Sequence, residues 1–178
     1  MTTQQQQENI AICNHSSNNA GYVIFSVMLG NDTMVDMLAH EAARDYLINK
    51  GISLKELEGS YKGNKELSFI VSQDHMEDVQ ALAKYHNQES IMLLKSHKHG
   101  LYKASLHYLK ELLHEDIGYL RQVTKEIALQ QDCYSYDKTQ DAYFICTESD
   151  DTSLSLKGTL TTIDTLNKKG LKDNEKDI

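Results

Sequence analysis

Proline is missing from this sequence of 178 residues, where average usage would supply about nine. Proline-rich linkers and recognition segments are therefore excluded. Tryptophan is missing too. Cysteine is scarce: Cys13, Cys133 and Cys146 are odd in number and lack C-x-x-C spacing, which suits the reduced thiols of a cytosol rather than a disulfide framework. Pure apolar runs such as Tyr22-Val-Ile-Phe25, with Val27-Met-Leu29 beyond a serine, fall far short of the roughly 20 residues that span a bilayer. The opening MTTQQQQENIAICNHSSNN has neither a basic start nor an apolar h-region, so no secretory signal is expected and a cytoplasmic location is.

Positive charge is also short. Lys plus Arg number 18 against 26 Asp plus Glu, a net charge of -8, and basic residues never cluster beyond pairs such as Lys168-Lys169. This argues against a nucleic-acid partner, which needs a basic face. Walker, G-x-G-x-x-G, G-x-S-x-G and H-E-x-x-H patterns are all lacking, which removes support for most enzyme classes. His97-Lys-His99 is an H-x-H with only His86 or His107 to supplement it and no carboxylate at a telling spacing. It reads as a pair of loop histidines, and no metal is expected.

What is present is one domain with polar ends. Residues 1–19 are Gln-, Asn- and Ser-rich, and 148–178 are mostly polar, compositions that bury too little apolar surface to repay ordering. A strand within Thr147–Asp164, on Leu154, Leu156 and Leu160, is the one structured element expected there. The folded domain is placed at 20–147.

Inside it, Gly21–Leu29 reads as a buried strand ended by Gly30-Asn31-Asp32. A helix follows, capped by Asp32 or Thr33, with Met34, Met37, Leu38, Ala42 and Leu47 near a 3.6-residue period up to Lys50-Gly51. An extended segment through Leu57 to Tyr61, a turn at Lys62-Gly63-Asn64-Lys65 and the strand Leu67–Val71 make a hairpin. Asp74-x-x-Glu77 opens a second helix on Val79, Leu82, Ala83 and Tyr85, and Ser90–Lys95 is a further strand. The order predicts an α+β fold: a ferredoxin-like βαββαβ sandwich. Additional C-terminal strands are expected in Leu101–Leu109, Gly118–Ile127, Cys133–Tyr136 and Ala142–Cys146. An open sheet face would need a second sheet or another subunit to cover it, so an oligomer is expected.

One segment can carry chemistry. In Leu57-Glu-Gly-Ser-Tyr-Lys-Gly-Asn-Lys-Glu-Leu-Ser68 a tyrosine ends one hairpin strand and Glu66 opens the return, so a phenol and a carboxylate can converge; an ordinary hairpin with a solvated glutamate is the plainer alternative. Lys95-Ser96-His97 follows a strand and can line a crevice or simply be solvated.

Phe25-Ser26-Val-Met-Leu-Gly-Asn31, Glu58-Gly-Ser-Tyr61 leading to Lys65-Glu66-Leu-Ser68, Asn87-Gln88-Glu-Ser-Ile91 and Lys95-Ser96-x-x-His99 occur in this order. Gly118-Tyr-Leu-Arg-Gln-Val123 and Asp132-Cys-Tyr-Ser-Tyr136 follow. Over residues 21–146 the chain thereby resembles the bacteriophage S-adenosylmethionine (SAM) lyases, formerly called SAM hydrolases. The resemblance implies trimeric βα sandwiches with sites between subunits. It also implies conversion of SAM to 5'-methylthioadenosine and L-homoserine lactone without cofactor or metal, in service of phage evasion of host restriction. By position, Tyr61 and Glu66 match the family's active-site tyrosine and glutamate. Phe25 and Ser26 at the end of strand one, and Gln88, Lys95 and Ser96 along strand four, are the further expected substrate contacts. Three readings compete: hydrolysis by water, a non-catalytic phage protein that sequesters a nucleotide-like ligand or inhibits a host protein, and an unrelated βαββαβ domain.

Overall fold

The computed structural model describes residues 21–98 and 101–150. The expected tails at 1–19 and beyond 150, the strand on Leu154–Leu160, and His99 of the H-x-H lie outside the described residues. Eight strands carry the fold: β1 (Tyr22–Phe25), β2 (Leu54–Tyr61), β3 (Asn64–Ser72), β4 (Ser90–Ser96), β5 (Tyr102–Tyr108), β6 (His114–Val123), β7 (Tyr134–Asp137) and β8 (Ala142–Thr147). Helix α1 (Thr33–Asn49) joins β1 to β2, α2 (Met76–Tyr85) joins β3 to β4, and the single turn α3 (Lys125–Ala128) precedes β7.

The first four strands lie in the order β4-β1-β3-β2, each antiparallel to its neighbour. That is the interleaving of a split βαβ unit. The sheet does not stop there, and here the expected sandwich is corrected: β2 pairs with β7, and β8, β6 and β5 complete a closed barrel back to β4. Closure removes the open face along with the sheet edges. The inner face of the first four strands is covered by the chain's own later strands.

Alternation along each strand then makes two cores. Val23 and Phe25 of β1, Phe69 and Val71 of β3, and Ile91 and Leu93 of β4 face the helices and pack with Ala43 and Leu47 of α1 and Val79 and Ala83 of α2. Tyr22, Ile24, Leu57, Ile70, Leu94, Ala104, Leu120, Ala142 and Phe144 fill the barrel. The β2–β3 loop is the two-residue Lys62-Gly63, both at positive φ (50° and 79°). This is the turn geometry whose twist matches the flanking strands, and it fixes Tyr61 opposite Asn64 and Gly59 opposite Glu66.

Helix α1 departs from its expected face. Asp36, His40, Ala43 and Leu47 are buried, whereas Met34, Leu38 and Ile48 are 75%, 61% and 56% exposed, and Met37 and Ala42 are also exposed. Specific polar contacts explain it. Asp36 accepts from the backbone N–H of Leu29 (2.8 Å) and Gly30 (2.9 Å), and the His40 ring stacks on Phe69 with centroids 4.2 Å apart. Hydrogen bonds to a charged group contribute about 1.5–3 kcal/mol each, and turning Asp36 and His40 outward would forfeit both bonds and the ring stack.

Candidate active site

A pocket of about 670 Å³ opens at one mouth of the barrel, a size usual for small-molecule sites. Its floor is the barrel core: Ile24, Met92, Leu120 and Phe144. Its wall includes Ser26, Met28, Tyr61, Glu66 and Gln88, and the segment before β7 with the end of β8 forms the far side.

The hairpin positions the acid. Glu66, Ser68 and Ile70 alternate onto the lumen, and across β2 the matching positions are Gly59 and Leu57, paired with Glu66 and Ser68 respectively. Tyr61 lies two residues beyond Gly59 and so on the same face, a diagonal neighbour at about 7 Å between backbones. Gly59 is required by the next strand rather than by a turn, since a Cβ there would stand 2.2 Å from the Tyr134 carbonyl oxygen. It keeps β7 close and leaves the space in front of Glu66 clear of a side chain.

Burial among these apolar groups pushes the Glu66 carboxyl above the ordinary glutamate range, and the Ser26 hydroxyl beside it pulls the other way. Ser26 is itself nearly buried. Its hydroxyl donates to the Leu67 carbonyl (2.8 Å) and accepts from the Met28 N–H (3.1 Å), so it ties the end of β1 to the residue after Glu66. The Gln88 side-chain amide donates to the Met28 carbonyl (2.9 Å). These bonds, with the Asp36 clamp on Leu29 and Gly30, fix the β1–α1 loop as a rigid wall. At Tyr61 the Lys62 ammonium lies 5.0 Å from the ring centroid, a cation–π distance.

Five of the seven expected site residues therefore border one pocket: Phe25, Ser26, Tyr61, Glu66 and Gln88. Phe25 does so from behind, since its ring packs on Phe69 in the helix-side core (centroids 5.5 Å). Lys95 and Ser96 do not join them. Both are exposed and pair with Lys103 and Tyr102, about 20 Å along β4 from Ser90 at the pocket rim. Asn87, Met28, Asp132, Cys133, Ser135 and Cys146, none of them an expected substrate contact, also line the pocket. Asn87 carried a signal, because its positive φ of 54° is a conformation that asparagine tolerates well.

The histidines go elsewhere. His97 lies beside Tyr119 (5.0 Å), His107 against His114 (5.7 Å) and His86 against Tyr85 (5.1 Å). Among the described residues no group of three or more His, Cys, Asp or Glu is placed to hold a metal ion, and no helix is long and apolar enough to cross a membrane.

The model of the S-adenosylmethionine lyase family matches residues 23–147. The chain belongs to that family. It is an enzyme of the lyase class whose substrate is S-adenosylmethionine, and the matched span holds the whole pocket and, apart from Tyr22 at the start of β1, all eight strands. No curated protein matches the chain.

Proposed function

We propose that this SAM lyase cleaves its substrate in the barrel-mouth pocket by intramolecular attack, yielding 5'-methylthioadenosine and L-homoserine lactone. The observation that carries the reading is Glu66: a partly buried carboxylate facing a lumen whose floor is apolar. Such a group attracts a cation of defined shape, and SAM presents two, the sulfonium and the α-ammonium. The net charge of -8 favours approach of a cationic substrate over a phosphate-bearing one.

The bond changes are few. The substrate carboxylate oxygen bonds to its own γ-carbon, the carbon–sulfur bond breaks, and its electron pair stays on sulfur as a neutral thioether. No proton moves, so no general base is required. The opposite charges of carboxylate and sulfonium cancel on the way to the transition state, and water, which solvates both, opposes that. Excluding water is one role of the pocket; folding the methionine chain into a near-attack conformer is the other, and in favourable intramolecular cases it supplies about 7–11 kcal/mol. Glu66 holds the α-ammonium and thereby sets the chain's fold. Tyr61, whose ring already draws the Lys62 ammonium, turns a π face or hydroxyl to the sulfonium. Ser26 contributes a hydroxyl beside Glu66, and Gln88 acts through the loop it pins.

The active form is a trimer. Met34, Val35 and Leu38 on the outer face of α1 are each more than half exposed, as is Leu29, which also borders the pocket. A contiguous apolar surface at a site's rim marks an interface, and a second copy seated there would complete the wall. The biological role that fits is phage evasion of host restriction by depletion of the methyl donor in the bacterial cytoplasm.

The test is product analysis with purified protein and SAM, no metal added. Many equivalents of methylthioadenosine and homoserine lactone in equal amounts are expected. Homoserine as the first product would point to attack by water, and a single bound equivalent without turnover would point to sequestration. Light scattering tests the trimer, with monomers in solution as the refuting result.

A further inference from the structure

Both cysteines among the described residues border the pocket. The β7–β8 register runs Asp137↔Ala142, Tyr136↔Tyr143, Ser135↔Phe144. Continued two residues further, it sets Cys133 opposite Cys146. Alternation puts both on the same side of the sheet as Ser135 and Phe144, and both line the pocket. The hydrogen-bonded ladder between β7 and β8 ends at Ser135↔Phe144, so beyond it the seam is held by no strand pairing. On its other flank β7 continues beside β2, where Ser60 faces Tyr134, and the next position brings Cys133 opposite Tyr61.

The two thiols differ in reach. Cys133 is exposed and Cys146 half-buried, and both are free. Burial, with the neighbouring Cys133 adding to it, pushes the Cys146 thiol up to about 11. Cys133 is thus the thiol that meets reagents in solution, and Cys146 the one that resolves the product.

We infer that Cys133 and Cys146 are a disulfide-forming pair, and that their oxidation by a small-molecule disulfide such as oxidised glutathione closes the seam and narrows the pocket beside Tyr61. The Cys133 thiolate attacks the glutathione disulfide and releases one glutathione thiol. Cys146 then loses its proton and attacks the Cys133 sulfur, releasing the second. Two protein thiols are oxidised and one glutathione disulfide is reduced to two thiols. The new bond requires α-carbons about 4.4–6.8 Å apart, close to the spacing of directly opposed antiparallel residues. The Cys133 sulfur, which now accepts from the Lys62 N–H at 3.4 Å, must turn away from β2 to make it, and the backbone beside Tyr61 loses that anchor.

Trypsin separates the two cysteines at Lys138, leaving them on peptides 126–138 and 139–157. The full chain is incubated with oxidised glutathione at mildly alkaline pH and digested without reductant. A linked 126–138/139–157 peptide is expected. It should persist in Cys13→Ser and vanish in both Cys133→Ser and Cys146→Ser. Recovery of the two peptides only separately, or linkage of Cys133 to Cys13, overturns the pairing. SAM turnover of the oxidised chain should fall roughly 10- to 100-fold, the scale set by a misplaced site, and return on reduction, whereas in Cys133→Ser, which lacks the attacking thiol, the ratio of oxidised to reduced activity should stay near one. A linked chain with undiminished turnover overturns the gating. The peptide map reads the pairing whether or not SAM is the substrate, so failure of the proposed reaction is told apart from failure of this inference.

Discussion

Replacing Glu66 by glutamine removes one charge and almost no volume, so it separates the site's chemistry from its packing. If the carboxylate holds the α-ammonium, the variant trades a charge-assisted hydrogen bond for a neutral one. Such bonds contribute about 1.5–3 kcal/mol, of which roughly half survives in a neutral pair. Misorientation of the methionine chain adds to this, because the near-attack geometry depends on the anchor. A loss in kcat/KM of roughly 100-fold or more is expected, the larger part in kcat. Stability should move the other way. The folded-state pKa of Glu66 is raised by burial, so this group contributes stability that is fully present below its unfolded pKa and fades as pH rises through the folded value. At neutral pH and above the empty site carries that penalty, and glutamine does not. Thermal melts should show Glu66→Gln equal to or more stable than the parent near pH 8, with the difference shrinking toward pH 4. Methylthioadenosine formation gives the activity. Full activity in the variant, or a melt lowered at pH 8 by a well-packed substitution, would refute the assignment.

Turnover by the parent should fall on the acid side with a midpoint above the ordinary glutamate range, since the raised Glu66 carboxyl loses its charge there; a kcat/KM profile flat down to pH 4 would contradict this. For Asp137 burial works against ionisation, but the Lys55 ammonium at 2.7 Å and the hydroxyl and N–H of Thr139 together hold the carboxyl below its usual range. Asp137→Ala strands the half-buried Lys55 and should cost about 3 kcal/mol in urea unfolding at pH 7, with the cost shrinking as pH falls through the depressed carboxyl pKa. Gly59→Ala should lower stability by about 1–3 kcal/mol through overpacking against Tyr134 and reduce turnover in parallel, and an unchanged melt would show that β7 can move aside.

The first half of the fold was legible because its signals are local. Apolar β1 ended by Gly-Asn-Asp, the Lys62-Gly63 turn and the Ser90 strand each follow from a few neighbouring residues, and they brought Tyr61 and Glu66 together. Barrel closure was not legible, since it depends on pairings such as Glu58↔Tyr136, whose partners are 78 positions apart in the sequence, and on Gly59 admitting β7. The face of α1 was misread for a related reason. Hydrophobic periodicity weighs Met34 and Leu38 above Asp36 and His40, whereas the loop N–H groups and Phe69, which reward the polar pair, are known only from the tertiary structure. Lys95 and Ser96 were grouped with Gln88 as residues along strand four, yet Gln88 precedes that strand, whose seven residues reach from one barrel mouth to the other. Cys133 and Cys146, without C-x-x-C spacing, read only as unpaired reduced thiols until β7 and β8 were set side by side.

A crystal structure of Glu66→Gln with SAM would show whether the substrate is held in the barrel-mouth pocket against position 66. SAM is expected in the lumen between Tyr61 and Phe144, its α-ammonium beside position 66 and its carboxylate folded toward its own γ-carbon. SAM bound elsewhere, for example near Lys95 and Ser96 at the opposite mouth, or bound in the pocket with an extended methionine chain, would contradict it.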